Sequence, residues 1–241
     1  MNDLLVVLLL AALPAIGNFA GGALAELRPP TARHLNFALH AAAGIVLAVV
    51  AVELMPRALE RLPAWMIGLG FAGGGLLYVA LDALVTRLQS DQAGTGAWMI
   101  YGAVAVDLFT DGLLIGAGSS VNLGLGLVLA VGQVMADLPE GYAVIANLRE
   151  RGIPRRQRIW LSAAFLLPAL GAATVAYLLL RGQPSEWQLS VLMVGAGLLT
   201  VAAIEDMIGE AHEGHEDERR SLVALVGGFV LFTLISAGLG A

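Results

Sequence analysis

The chain has 241 residues, 58% of them hydrophobic and 13% charged, with a net charge of −6 and no cysteine. An apolar share this far above the usual ~45–50% leaves too little polar surface for a water-soluble domain, so an integral membrane protein is implied. Without cysteine, disulfides, thiolate zinc sites and thiol catalysis are excluded, and the acidic balance by itself assigns no partner.

Apolar stretches of about 20 residues, the length that crosses a hydrocarbon core, predict an all-α polytopic protein with helices at roughly 3–25, 36–57, 64–88, 97–117, 121–148, 158–180, 188–210 and 221–240. The first is read as a span and not a cleaved leader, because Asp3 and no basic residue precedes its apolar run. Within it Asn18, beside Pro14 and Gly17, either lines a path or packs against a neighbour. His40 is expected to open the second helix as a capped or interfacial residue. Glu53 and Asp82 stand near span ends, where acids are commonly solvated.

All thirteen basic residues are arginines. An external N-terminus puts ten of them inside, leaving only Arg57, Arg61 and Arg181 outside. That bias orients both termini away from the cytoplasm. The loop from Arg149 to Arg158 reads as an anchor to anionic lipid. Glycine is abundant, at 30 residues, and serves close helix packing; no run has the setting of a nucleotide-binding loop.

The fourth and fifth helices carry the chemistry. Asp107-Leu-Phe-Thr-Asp-Gly112 places two acids four apart on one face, and Asp137-Leu-Pro-Glu-Gly141 places Asp137 and Glu140 three apart on the next helix. An ionised carboxylate at bilayer depth costs at least ~2.5–3.5 kcal/mol on insertion scales, so this group needs a cation or a watered path. Pro139 cannot donate to the carbonyl of Met135, leaving an oxygen for a metal or a water. Gln133, Val144 and Asn147 continue the acidic face as a candidate pathway. The alternative is a network of protonated acids that holds helices together.

These tracts resemble the signatures of the ZIP (Zrt/Irt-like) divalent metal transporters. Asp137-Leu-Pro-Glu-Gly141 is similar to the family's fifth-helix His-Glu-x-Pro-Glu-Gly, and Asp107-Leu-Phe-Thr-Asp-Gly112 to its fourth-helix His-Asn-x-Pro-Glu-Gly. His40-Ala-Ala-Ala-Gly44 leading to Glu53-Leu-Met-Pro56 is similar to the second helix, and 195–210 to the seventh. The departures are informative. Asp107 and Ala136 stand where the family has histidine, Leu108 where it has asparagine, Thr110 where it has proline and Asp111 where it has glutamate. Leu167 precedes Pro168 where members with paired metals have a glutamate. With Leu108, this implies that a second metal position is missing.

The resemblance implies transport of divalent metal ions toward the cytoplasm across the cell (inner) membrane, with no cofactor and no nucleotide motor. The metal ligands would be Asp107, Asp111, Asp137 and Glu140. Zn2+ is the family substrate, while an all-oxygen site also admits Fe2+, Mn2+ or Cd2+. Helices one, four, five and six would form a transport bundle sliding against two, three, seven and eight, in a homodimer. Glu205, Asp206, Glu210, His212 and His215 run toward the cytoplasm as an exit or as a solvated turn. Two rival readings stand: an intramembrane aspartyl protease, which also needs two aspartates on neighbouring helices but whose Gly-x-Gly-Asp signature is absent, and a non-transporting metal-sensing or structural relative.

Overall fold

A computed structural model of the chain describes residues 2–28, 31–90, 96–208 and 218–239. Among these the only regular structure is helix, in eight rods each long and apolar enough to cross a membrane. The rods are α1 (Asn2–Leu27), α2 (32–61), α3 (Ala64–Ser90), α4 (Gly96–Val121), α5 (Leu123–Glu150), α6 (155–180), α7 (185–208) and α8 (Glu218–Leu239). Their bounds lie within a few residues of those expected.

Local chemistry sets the ends and irregularities. Thr31 Oγ1 accepts from the His34 amide at 3.4 Å, and Asn122 Oδ1 from the Leu125 amide at 2.8 Å, capping α2 and α5. Gly152 and Gly182, at φ 74° and 78°, turn the chain after α5 and α6, a left-handed conformation that a side chain would strain. In α2 the segment Val49–Leu54 widens to a π-helix just before Pro56, which has no N–H to continue an ordinary turn. Rod α6 breaks at Phe165, three residues before Pro168, so the expected single helix is two, Arg155–Ala164 and Leu166–Leu180. Because α2 begins earlier than expected, His40 lies inside it, buried, with Nδ1 2.9 Å from the Asn36 carbonyl oxygen.

Membrane helices gain nothing hydrophobic by pairing, so close backbone approach does the work. Four pairs meet through glycine. A Cβ on Gly17 or Gly21 of α1 would strike α5 backbone at Val134 or Leu138, and one on Gly141 of α5 would strike Asn18 of α1. Gly112 and Gly116 of α4 lie against Ala169 and Ala173 of α6. Gly44 and Gly228 join α2 to α8, and Gly74 and Gly197 join α3 to α7. Contacts linking these pairs include side chains set on glycine: Leu129 of α5 on Gly118 of α4, Val49 of α2 and Phe232 of α8 on Gly132 of α5, and Leu114 of α4 on Gly195 of α7.

Two expectations about charged residues are corrected. Glu53 is not solvated: it is 1% exposed, receives Arg57 Nη1 at 2.6 Å and accepts a hydrogen bond from Ser236 Oγ of α8. The 149–158 segment is also not simply a lipid anchor, because Arg158 is buried and donates to Glu26 of α1 at 2.6 Å and to the Ile153 carbonyl. A guanidinium with a partner in the protein closes α6 onto α1 instead of reaching for lipid. Asp82 is exposed, as expected.

Candidate metal centre

Four of the residues singled out from sequence converge where α4 meets α5. Carboxylate oxygens of Asp107, Asp111 and Asp137 all lie within 4.8 Å of one another. The four-residue spacing on α4 aligns its two acids, and the glycines that let Leu129 and Ser119 nest between the helices bring Asp137 up to them. Glu140, one turn further along α5, faces Asp107 and Asp137.

Asp111 and Asp137 are each 2% exposed. Oδ2 of Asp111, Oδ2 of Asp137 and Oε2 of Glu140 are buried and accept no hydrogen bond. Leaving such oxygens bare is costly, and a proton or a cation compensates them. Carboxylate oxygens gathered this closely are the donor set of a hard or borderline divalent cation.

The surrounding residues hold this arrangement. Gln133, expected on the pathway, is 2% exposed and its Nε2 donates to Asp111 Oδ1 across the helix interface. It orients one oxygen and leaves the other turned to the site. Thr110, at the family's proline position, keeps the backbone N–H that proline lacks, so α4 runs on unbroken, and its Oγ1 donates to the Val106 carbonyl at 3.0 Å. Asn18 is 1% exposed in the α1–α5 contact, its backbone against Gly141 and its Nδ2 without a partner.

Other expected residues fall elsewhere. Asn147 is half-buried and accepts from Arg151 Nε at 2.8 Å, while Val144 packs in an apolar cluster with Leu108 and Phe165. Leu108 thus offers no donor. Leu167 is 72% exposed and faces outward, so a donor at that position would miss the site. Glu205 is exposed in the π-helical end of α7, apart from the carboxylates; Glu210, His212 and His215 lie outside the described residues, as does the side chain of Asp206.

Two features escaped sequence reasoning. Ser119 Oγ of α4 is buried without a partner, so all the orphaned buried polar atoms among the described residues sit on α1, α4 and α5; no local signal marks it. The Glu26–Arg158 pair spans 132 positions and has no local signal either.

No family model matches the chain. Curated relatives do. The zinc transporter ZupT of Shigella flexneri serotype 5b (strain 8401) is 28% identical over 257 residues, covering 98% of this chain and 99% of that protein. The zinc transporter ZupT of Escherichia coli O7:K1 (strain IAI39 / ExPEC) is 29% identical over 258 residues with the same coverage. Over nearly its full length the chain is therefore similar to curated zinc transporters, in keeping with its eight spans and with the resemblance of its α4 and α5 acidic tracts to the ZIP (Zrt/Irt-like) signatures.

Proposed function

We propose that this protein carries divalent metal ions across the cell (inner) membrane toward the cytoplasm, binding them at Asp107, Asp111, Asp137 and Glu140. The observation that carries the reading is the set of three carboxylates within 4.8 Å of one another inside a bundle of membrane-spanning length. The relatives' name makes zinc the first candidate substrate. The donor set is all oxygen, so Fe2+, Mn2+ and Cd2+ are competitors to be ranked by a displacement series. The acids act as ligands for cargo, and the protein is a carrier, not an enzyme.

One ion per protomer is the stoichiometry the residues support, since Leu108 sits among apolar side chains and Leu167 points away. The division into a moving bundle of α1, α4, α5 and α6 and a scaffold of α2, α3, α7 and α8 is supported by the packing. The backbone-to-backbone glycine contacts lie within each group (α1–α5, α4–α6, α2–α8, α3–α7). Across the division, the glycines Gly132 and Gly195 meet side chains, which can change partner more readily than locked backbones. A homodimer is the assembly inferred from the family.

Uptake into proteoliposomes holding a fluorescent metal indicator tests the assignment. Asp111→Ala and Asp137→Ala are expected to abolish uptake while the amount of folded protein is preserved, because deleting a buried acid also removes its desolvation cost. Full uptake by both variants, or two adjacent core metals in anomalous scattering, would sink it.

A further inference from the structure

The end of the bundle at which α4 and α6 finish and α7 begins is closed over the acids. From Asp111 toward that end, Ile115 and Ser119 of α4 and Gln133, Leu129 and Leu125 of α5 are each at most 5% exposed. Toward the other end Asp107 and Glu140 are partly exposed. In this conformation the carboxylates are therefore screened from one side of the bundle and less so from the other.

Gln188, in the first turn of α7, lies at the closed end and is buried. A glutamine amide nitrogen carries two hydrogens, and here Nε2 donates to the Ser120 carbonyl at 3.0 Å and to the Leu180 carbonyl at 2.9 Å. Ser120 stands in the last turn of α4 and Leu180 ends α6, where carbonyls have no partner within their own helix. The Leu180 oxygen also receives the Gln183 amide at 3.0 Å. One side chain of α7 thus fastens two neighbouring helix ends. The hydrogen bonds between helices described above join α4 to α5, α1 to α6 and α2 to α8, each within one of the two groups already distinguished. Gln188 reaches across them, from α7 to α4 and α6. Deeper along the same α4–α7 contact the meeting is apolar, Leu114 against Gly195.

We propose that Gln188 is a latch between the moving bundle and the scaffold: its two hydrogen bonds hold α4 and α6 on α7, and both must break before the carboxylates can be reached from that end. The proposal rests on the division into two groups proposed above. The latch sits at the ends of three spans, so when α4 and α6 move away the amide and both carbonyls pass to water and not to hydrocarbon. A neutral hydrogen bond exchanged for water contributes little net stability. Two of them favour the closed form and still release in each cycle. At mid-membrane the same release would leave bare polar groups in hydrocarbon and would be far costlier.

Gln188→Met keeps the length of the side chain and removes both donors. The chain has no cysteine of its own, so Leu114→Cys, at a position 0% exposed, reports opening. In proteoliposomes its reaction with a water-soluble maleimide should be about 10-fold faster when Gln188→Met is added, because only the closed form loses the two bonds. Ile145→Cys, buried against Gly22 between α1 and α5, should react at one rate with or without Gln188→Met. A cysteine pair tests the division itself. A Cβ on Gly195 stands 2.8 Å from Leu114 Cγ, one bond from Leu114 Cβ, which brings the two Cβ atoms into the about 3.5–4.5 Å range of a disulfide. Oxidised Leu114→Cys with Gly195→Cys should lose zinc uptake and regain it in reductant. Undiminished uptake by the oxidised pair would overturn the division and the latch with it. Uptake blocked by the disulfide, but with the Leu114→Cys rate unchanged by Gln188→Met or the Ile145→Cys rate raised equally, would overturn the latch alone.

Discussion

Gly141→Ala tests whether the acids depend on how closely α1 and α5 approach. A Cβ on Gly141 would stand 2.7 Å from Asn18 Cα and 2.6 Å from its carbonyl carbon, with the carbonyl oxygen nearer still. All three are backbone atoms, so no side chain can swing aside. Ordinary contact begins near 3.4 Å and the carbonyl oxygen would stand at 1.9 Å, so the backbones must part by about 1.5 Å along that contact. Overfilling a packed contact of this kind costs about 1–3 kcal/mol. The displacement falls one residue from Glu140 and four from Asp137, on the helix that supplies half the proposed ligands. If α5 yields, its acids shift against Asp107 and Asp111; if α1 yields, the orphaned Asn18 amide leaves the site. We expect a lower midpoint in denaturant titration and metal uptake per folded molecule reduced several-fold. Gly171→Ala is the control, because nothing lies within 4 Å of a Cβ there. Gly21→Ala opens the same crossing from the other side, at Leu138 and Tyr142. The double variant should therefore lose less stability than the two single losses added together. Unchanged midpoint and uptake in Gly141→Ala, or strict additivity with Gly21→Ala, would refute the reasoning.

Glu53→Gln should lower stability by about 1–3 kcal/mol, since it removes the charge partner of Arg57 at a buried position, yet leave uptake per folded molecule intact; loss of transport without loss of stability would place Glu53 in the ion path. Metal affinity measured calorimetrically should fall as pH drops from neutral, because a proton and a metal compete for the same carboxylate oxygens and each proton displaced on binding steepens the dependence by up to about tenfold per pH unit. A flat profile would mean that the acids are not the ligands. The chain has no cysteine, so Arg156→Cys supplies a single label site on an exposed position before α6's first full turn; an impermeant reagent added outside intact cells should fail to reach it, and labelling would reverse the assigned orientation.

Spans, their number and the pairing of acids on α4 and α5 were legible in the sequence for a direct reason. Hydrocarbon thickness sets how long an apolar run must be, and helix periodicity puts Asp107 with Asp111 and Asp137 with Glu140 on common faces whatever surrounds them. The tertiary structure alone decided which faces meet. A membrane helix has apolar residues toward lipid and toward its neighbours alike, so its rotation leaves no hydrophobic pattern to read. That is why Glu53 reads as a solvated span end and proves buried against Ser236, why Leu167 reads as the place of a missing second-metal ligand and points outward, and why Arg158 reads as a lipid anchor and finds Glu26. Gln133 reads as one stop on a polar stripe; only the crossing of α4 and α5, set by where glycine lets backbones touch, hands its amide to Asp111.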